Sequence, residues 1–94
     1  MTVQGTVARA VRDRRISPRA RIVVYAVATR DHGDDLVAPG LEWRNALIAA
    51  MAREADNMIA RHPEAVRLAE QFGYLRQTAN GWALIDHAQG QASP

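Results

Sequence analysis

The chain has no cysteine and no lysine, only five aromatic residues (two Trp, two Tyr, one Phe), and no apolar run near the length a bilayer demands. Without cysteine, a disulfide framework, a thiolate zinc site and a cysteine nucleophile are all excluded, and the chain is compatible with a reducing cytoplasm. The missing lysine fits GC-rich coding, and we assign it no function. Few aromatics beside many alanines point to a thin helical core rather than a β-sandwich. Spanning a membrane takes about 20 consecutive apolar residues, and the opening MTVQGTVARAVRDRR lacks the apolar centre of a signal peptide. A soluble, cytoplasmic protein with no membrane association is therefore expected.

Catalytic constellations are equally scarce. The serines are Ser17, which reads as a helix start, and Ser93 near the C-terminus, so no Ser-His-Asp set can be assembled. No glycine-rich phosphate loop is present. Asp31, His32, Asp34 and Asp35 crowd one segment, but they lack the spacing of a calcium loop and its terminal bidentate glutamate. His62 sits on an apolar stripe beside a helix break, a position that suits a structural or capping histidine, and His87 stands in a polar tail. Glu54 with Asp56 or Glu64 could pair, yet neighbouring acids on an amphipathic helix are ordinarily solvated. Neither enzymatic activity nor a cofactor nor a metal site is expected.

What is present is an uneven distribution of charge. Residues 1–30 hold seven arginines against Asp13 alone, and the remainder holds five arginines against nine acids, which gives the net +2. Five of those arginines, Arg12, Arg14, Arg15, Arg19 and Arg21, fall within the ten residues RDRRISPRAR. Such asymmetry is a hint of nucleic-acid or acidic-surface binding, although a charge run is also a common form of solvated face.

Local signals divide the chain into elements. Val7, Ala8, Ala10 and Val11 give a short apolar stripe in a first helix reaching about Arg15. Ser17-Pro18 starts a second helix: the hydroxyl can accept a first-turn amide, and proline at the first position sacrifices no hydrogen bond. Ile22 to Val27 are rich in β-branched residues and read as helix or buried strand; the cap and the interspersed alanines favour helix over 18–30, ending near Asp31. DHGDDLVAPG reads as a loop. Leu47, Met51, Ala55, Met58 and His62, widened by Ile48, Ala52 and Ile59, mark a helix over 41–61. Pro63 breaks it and opens a further helix, PEAVRLAEQF, that stops at Gly73. A hairpin over 74–86 is expected to turn at Asn80-Gly81, with both residues tolerating positive φ. Trp82 beyond the turn should cover the core, and Trp43 could anchor core or partner. Residues 1–86 are thus expected to form one mainly α domain with a C-terminal β-hairpin, followed by a flexible tail over 87–94.

Two segments, Ile16-Ser17-Pro18-Arg19-Ala20 and Gly73 to Leu84, resemble the start of the first core helix and the wing of a winged helix-turn-helix domain. That resemblance implies a small DNA-binding protein, a transcriptional regulator or accessory factor. Arg12, Arg14, Arg15, Arg19 and Arg21 would meet duplex phosphates at the junction of two helices, since guanidinium matches phosphate with a bidentate fork. Arg76, Gln77, Thr78 and Asn80 on the wing would add backbone or minor-groove contacts. The long helix over 41–61 departs from the compact pair of a helix-turn-helix. The alternative is a helical protein-interaction module, an adaptor, inhibitor or antitoxin-like chain, whose arginines meet an acidic protein surface. Alanine- and methionine-rich faces are compatible with a homodimer.

Overall fold

The computed structural model describes residues 3–85. They form α1 (Val3–Arg12), α2 (Pro18–Leu36), α3 (Glu42–Arg61), α4 (Pro63–Gln71), β1 (Leu75–Thr78) and β2 (Gly81–Leu84), the two strands pairing antiparallel. The fold is mainly helical with a C-terminal hairpin. The expected flexible tail, 87–94, and the expected last hairpin residue, Asp86, lie outside the described residues.

α2 is the axis of the molecule, packed by α1, α3, α4 and β2. Its start follows the expected cap chemistry. Ser17 is extended (φ −67°, ψ 159°), its hydroxyl accepts from the Ala20 amide at 3.1 Å, and Pro18 occupies the first helical turn. Ala20, Val23, Val24, Ala26, Val27, Ala28 and Thr29 are all buried. A helix enclosed on several sides is apolar nearly all round, which is why the run Ile22 to Val27 carries no clean amphipathic period and yet is helical.

α2 does not end near Asp31. It kinks at His32 (φ −135°, ψ 31°) and continues to Leu36, so DHGDDL is helical and the connector shrinks to 37–41. Burial of Leu36 rewards the extra turn, and the Gln4 side chain donates to the Asp35 carbonyl at 2.9 Å, satisfying one of the acceptors a helix end leaves open. The Asn45 side-chain amide then clamps the connector, accepting from the Ala38 amide and donating to its carbonyl, both at 3.0 Å. α1, in turn, stops at Arg12 rather than Arg15, because Asp13 to Ser17 form a separate turn.

α3 follows its expected bounds, but its core face is rotated from the expected stripe. Ile48 and Ala55 are buried and Met58 and Ile59 pack against the core from its edge, whereas Leu47 is 52 % exposed. Successive helical residues differ by about 100°, so once Ile48 faces α2, Leu47 must lie to the side. His62 ends α3 and precedes Pro63 at the start of α4, half-buried at the break.

α4 stops in a Schellman arrangement: Gly73 (φ +84°) donates to the Glu70 carbonyl at 3.0 Å and Tyr74 to the Ala69 carbonyl at 2.9 Å. In the hairpin, Leu75 faces Leu84 and Gln77 faces Trp82 on one side, while Arg76 with Ala83 and Thr78 with Gly81 occupy the other. The expected turn is shifted by one residue. Ala79 and Asn80 form the connection, neither has positive φ, and Gly81 (φ +125°) is already the first residue of β2. Burial of Leu75 and Leu84 sets this register, and the Thr78 hydroxyl closes the turn by donating to the Gly81 carbonyl at 2.8 Å. Trp82 packs against the core as expected.

Gly73→Ala tests the α4 stop. No atom lies within 4 Å of the position a Cβ would take, so the cost is conformational, and the variant should lose about 1–2 kcal/mol in urea unfolding.

Candidate nucleic-acid interface

The turn between α1 and α2 is a built structure rather than a solvated connector. Ile16 is 1 % exposed and anchors it in the core. Around it, Asp13 gathers donors: the Arg15 amide and Nε donate to Oδ1, both at 2.9 Å, and Arg15 Nη2 and the Tyr74 hydroxyl donate to Oδ2 at 2.6 and 2.7 Å. Arg21 Nε donates to the Asp13 backbone carbonyl at 3.0 Å, and the Arg15 guanidinium lies over the Phe72 ring, 4.7 Å from its centroid. The Asp13 side chain is only 7 % exposed. The Arg15 guanidinium, followed by the Tyr74 hydroxyl, holds this carboxyl well below the usual aspartate range, and the same pairing raises Arg15. Burial, reinforced by the bond to Asp13, pushes the Tyr74 phenol up.

The five arginines of this segment therefore divide. Arg15 and Arg21 hold the turn together. Arg12, Arg14 and Arg19 are exposed, with no ion pair or side-chain hydrogen bond among the described residues. They do not converge on one point. Arg12 shares a shallow groove of about 600 Å³ with Arg9, Asp13 and Arg15, whereas Arg19 borders another groove with Glu64 on the side of α4. Arg9 was not singled out by sequence reasoning, although its spacing of three from Arg12 puts both on one face of α1. α2 has no acid in its first turn, so the positive end of its dipole adds to the arginine field.

The hairpin residues are likewise split by strand alternation. Arg76 is exposed on the outer face, Gln77 is on the core-facing side beyond the edge of the core, Thr78 closes the turn, and Asn80 is exposed at the tip. The base of the hairpin touches the arginine turn through Tyr74, while Trp82 near its tip is fixed through its carbonyl by Arg30 of α2. Arg30 also bonds Asp31 and Asp56, so α2, α3 and β2 meet at this side chain. Bonding first to Asp31 and then to Asp56 raises its already high pKa further. From Pro18 to Arg30 the helix rises about 18 Å, which is the scale separating arginine turn from wing tip.

At the far end of α2, Asp31, His32, Asp34 and Asp35 border an open groove, and His32 Nδ1 lies 3.9 Å from Asp35. Among the described residues no group of three His, Asp or Glu side chains is placed to hold a metal ion.

Tyr74→Phe should lower the melting temperature at neutral pH by on the order of 5 °C, through loss of one charge-assisted hydrogen bond. The acid limb gives a second readout. A carboxyl depressed by folding contributes fully above the ordinary aspartate value of about 4 and loses that contribution as pH falls through this value toward the folded one. Asp13→Asn should therefore be less stable than the unmodified protein at pH 7 by circular dichroism, and the difference should narrow on acidification below about pH 4.

Compared with known protein families, curated proteins and solved structures, the chain finds no match, so its function is read from this geometry.

Proposed function

We propose that the protein is a small DNA-binding protein that grips the phosphates of a duplex with the arginine turn and sets the hairpin against the backbone as a wing. The observation that carries this reading is the state of Asp13. It is the sole acid among the first thirty residues, and its charge is already matched internally by Arg15. Arg12, Arg14 and Arg19, with Arg9 beside them, are thereby left as uncompensated cations next to the acid-free start of α2. Their spread around the turn, and the roughly 18 Å to the wing tip, suit an extended polyanion better than a single small anion. Arg76, exposed on the outer strand face, adds a cation on the wing itself. Arg15 and Arg21 act here as positioning residues, and Gln77 and Thr78 serve the hairpin more than the ligand. The winged-helix likeness belongs to this proposal: α1 to α4 carry the helical part and β1–β2 the wing.

Changing Arg12, Arg14 and Arg19 together to alanine tests it. Fluorescence anisotropy with duplexes of unrelated sequence should show weakened binding for all of them. The slope of log affinity against log salt, between about 50 and 200 mM, should become shallower by about 0.9 per lost phosphate contact. Stability should move by less than about 0.5 kcal/mol per exposed arginine, which is why Arg15 is left in place. Unchanged affinity and slope would remove these side chains from the contact surface. No binding by the unmodified protein at low salt would replace DNA with an acidic protein surface as the partner.

A further inference from the structure

Between the end of α1, the start of α2 and the first half of α3 lies an open groove of about 400 Å³, walled by Val11, Ile22, Tyr25, Leu47 and Met51. Val11, Ile22 and Leu47 are each about half exposed, at 49, 48 and 52 %. One turn before Leu47, Trp43 projects into solvent at 70 % exposure. Trp43, Leu47 and Met51 follow at intervals of four and so share one side of α3. The face therefore has a projection, Trp43, and a recess, beside Met51, placed four residues before and four residues after Leu47.

We propose that this face is the interface of a homodimer whose two-fold axis passes beside Leu47. Two α3 helices cross antiparallel there, Leu47 meets Leu47 of the second copy, and each Trp43 fills the groove beside Met51 of the other. A two-fold interface requires that if residue i touches residue j of the other copy, j also touches i. A projection and a recess equidistant from one central residue meet that condition, and the pair is about 12 Å apart along the helix, close enough for both insertions to occur together. A different partner would have to supply a matching recess and a matching projection at the same separation. Arg21 borders the groove and, bonded to the neutral Asp13 carbonyl, keeps its charge at the rim, while the stripe from Trp43 through Leu47 to Met51 is itself apolar. Four side chains about half exposed or more offer on the order of 400 Å² of apolar surface, within the range of the largest functional patch on a monomer. With a polar rim, two such faces approach the low end of the roughly 1,200–2,000 Å² that stable interfaces bury. An interface of that size is a reversible one.

Sedimentation equilibrium of the full chain, without DNA, tests this independently of the proposed duplex binding. The unmodified protein should show a monomer–dimer equilibrium across the micromolar range. Leu47→Glu, which sets like charges together at the axis, should be monomeric throughout, and Trp43→Ala should weaken association about tenfold or more. Both positions are exposed, so melting curves at low concentration should be nearly unchanged. Because the chain has no cysteine, a single introduced thiol reports the register: Leu47→Cys should be joined into a covalent dimer by a short bis-maleimide, and Ala60→Cys, on the other side of α3, should not. A chain that stays monomeric at every concentration overturns the proposal, as does a dimer indifferent to both Leu47→Glu and Trp43→Ala.

Discussion

Asp13 is the constraint from which the organisation of the arginine turn follows. A carboxylate with 7 % of its side chain exposed has little water to solvate it, so its charge has to be met by the protein. Arg15 meets it with two side-chain nitrogens and its own amide, and Tyr74 brings a hydroxyl from the junction of α4 and β1. Each donor has a structural consequence. Arg15 is drawn down over Phe72, closing the turn; Tyr74 fixes the base of the hairpin beside it; and Arg21 ties the first turns of α2 to the Asp13 backbone. One acid with an enclosed side chain thus selects which cations are tied to the turn and which are left unpaired.

A second tie completes the frame at the other end of α2. Arg30, with a quarter of its side chain exposed, links Asp31, Asp56 and the Trp82 carbonyl. The hairpin is accordingly held at two points, near its base by Tyr74 to the turn that precedes α2 and near its tip by Arg30 of α2. Its separation from the arginine turn is set by the rise of the helix rather than by the freedom of a loop. The two ends also differ in sign: the acids Asp31, Asp34 and Asp35 gather where α2 ends, and the exposed arginines where it begins.

What the sequence reveals here is what short-range chemistry decides. Ser17-Pro18, Pro63 and Gly73 act within one helical turn, and each is legible as a start, a break or a stop. The hairpin is legible from its turn residues, but the phase of the turn depends on which leucines reach the core, so Asn80-Gly81 was displaced by one position. The run from Ile22 to Val27 is ambiguous for the opposite reason: burial on several sides erases the period that separates helix from strand. In the candidate site, the arginine cluster is visible in the sequence, whereas the division between Arg15 and Arg21 on one side and Arg12, Arg14 and Arg19 on the other is not. It is made by Asp13, which bonds Arg15 two residues on and Arg21 eight residues on and is itself bonded by Tyr74, 61 residues away, and that distant contact has no local pattern to announce it. Leu47 is apolar and correctly spaced for the core, yet a rotation of one residue about α3 places it on the surface.

The length of the Asp13–Tyr74 connection also orders events during synthesis. A chain growing from its N-terminus exposes the arginine segment long before residue 74 exists, and small domains acquire such distant contacts only after the intervening chain has collapsed. Until then Asp13 lacks the Tyr74 hydroxyl and Arg15 is free of Phe72. The nascent protein therefore carries a loose polybasic segment, and the arrangement of that segment is completed by one of the last parts of the domain to be made.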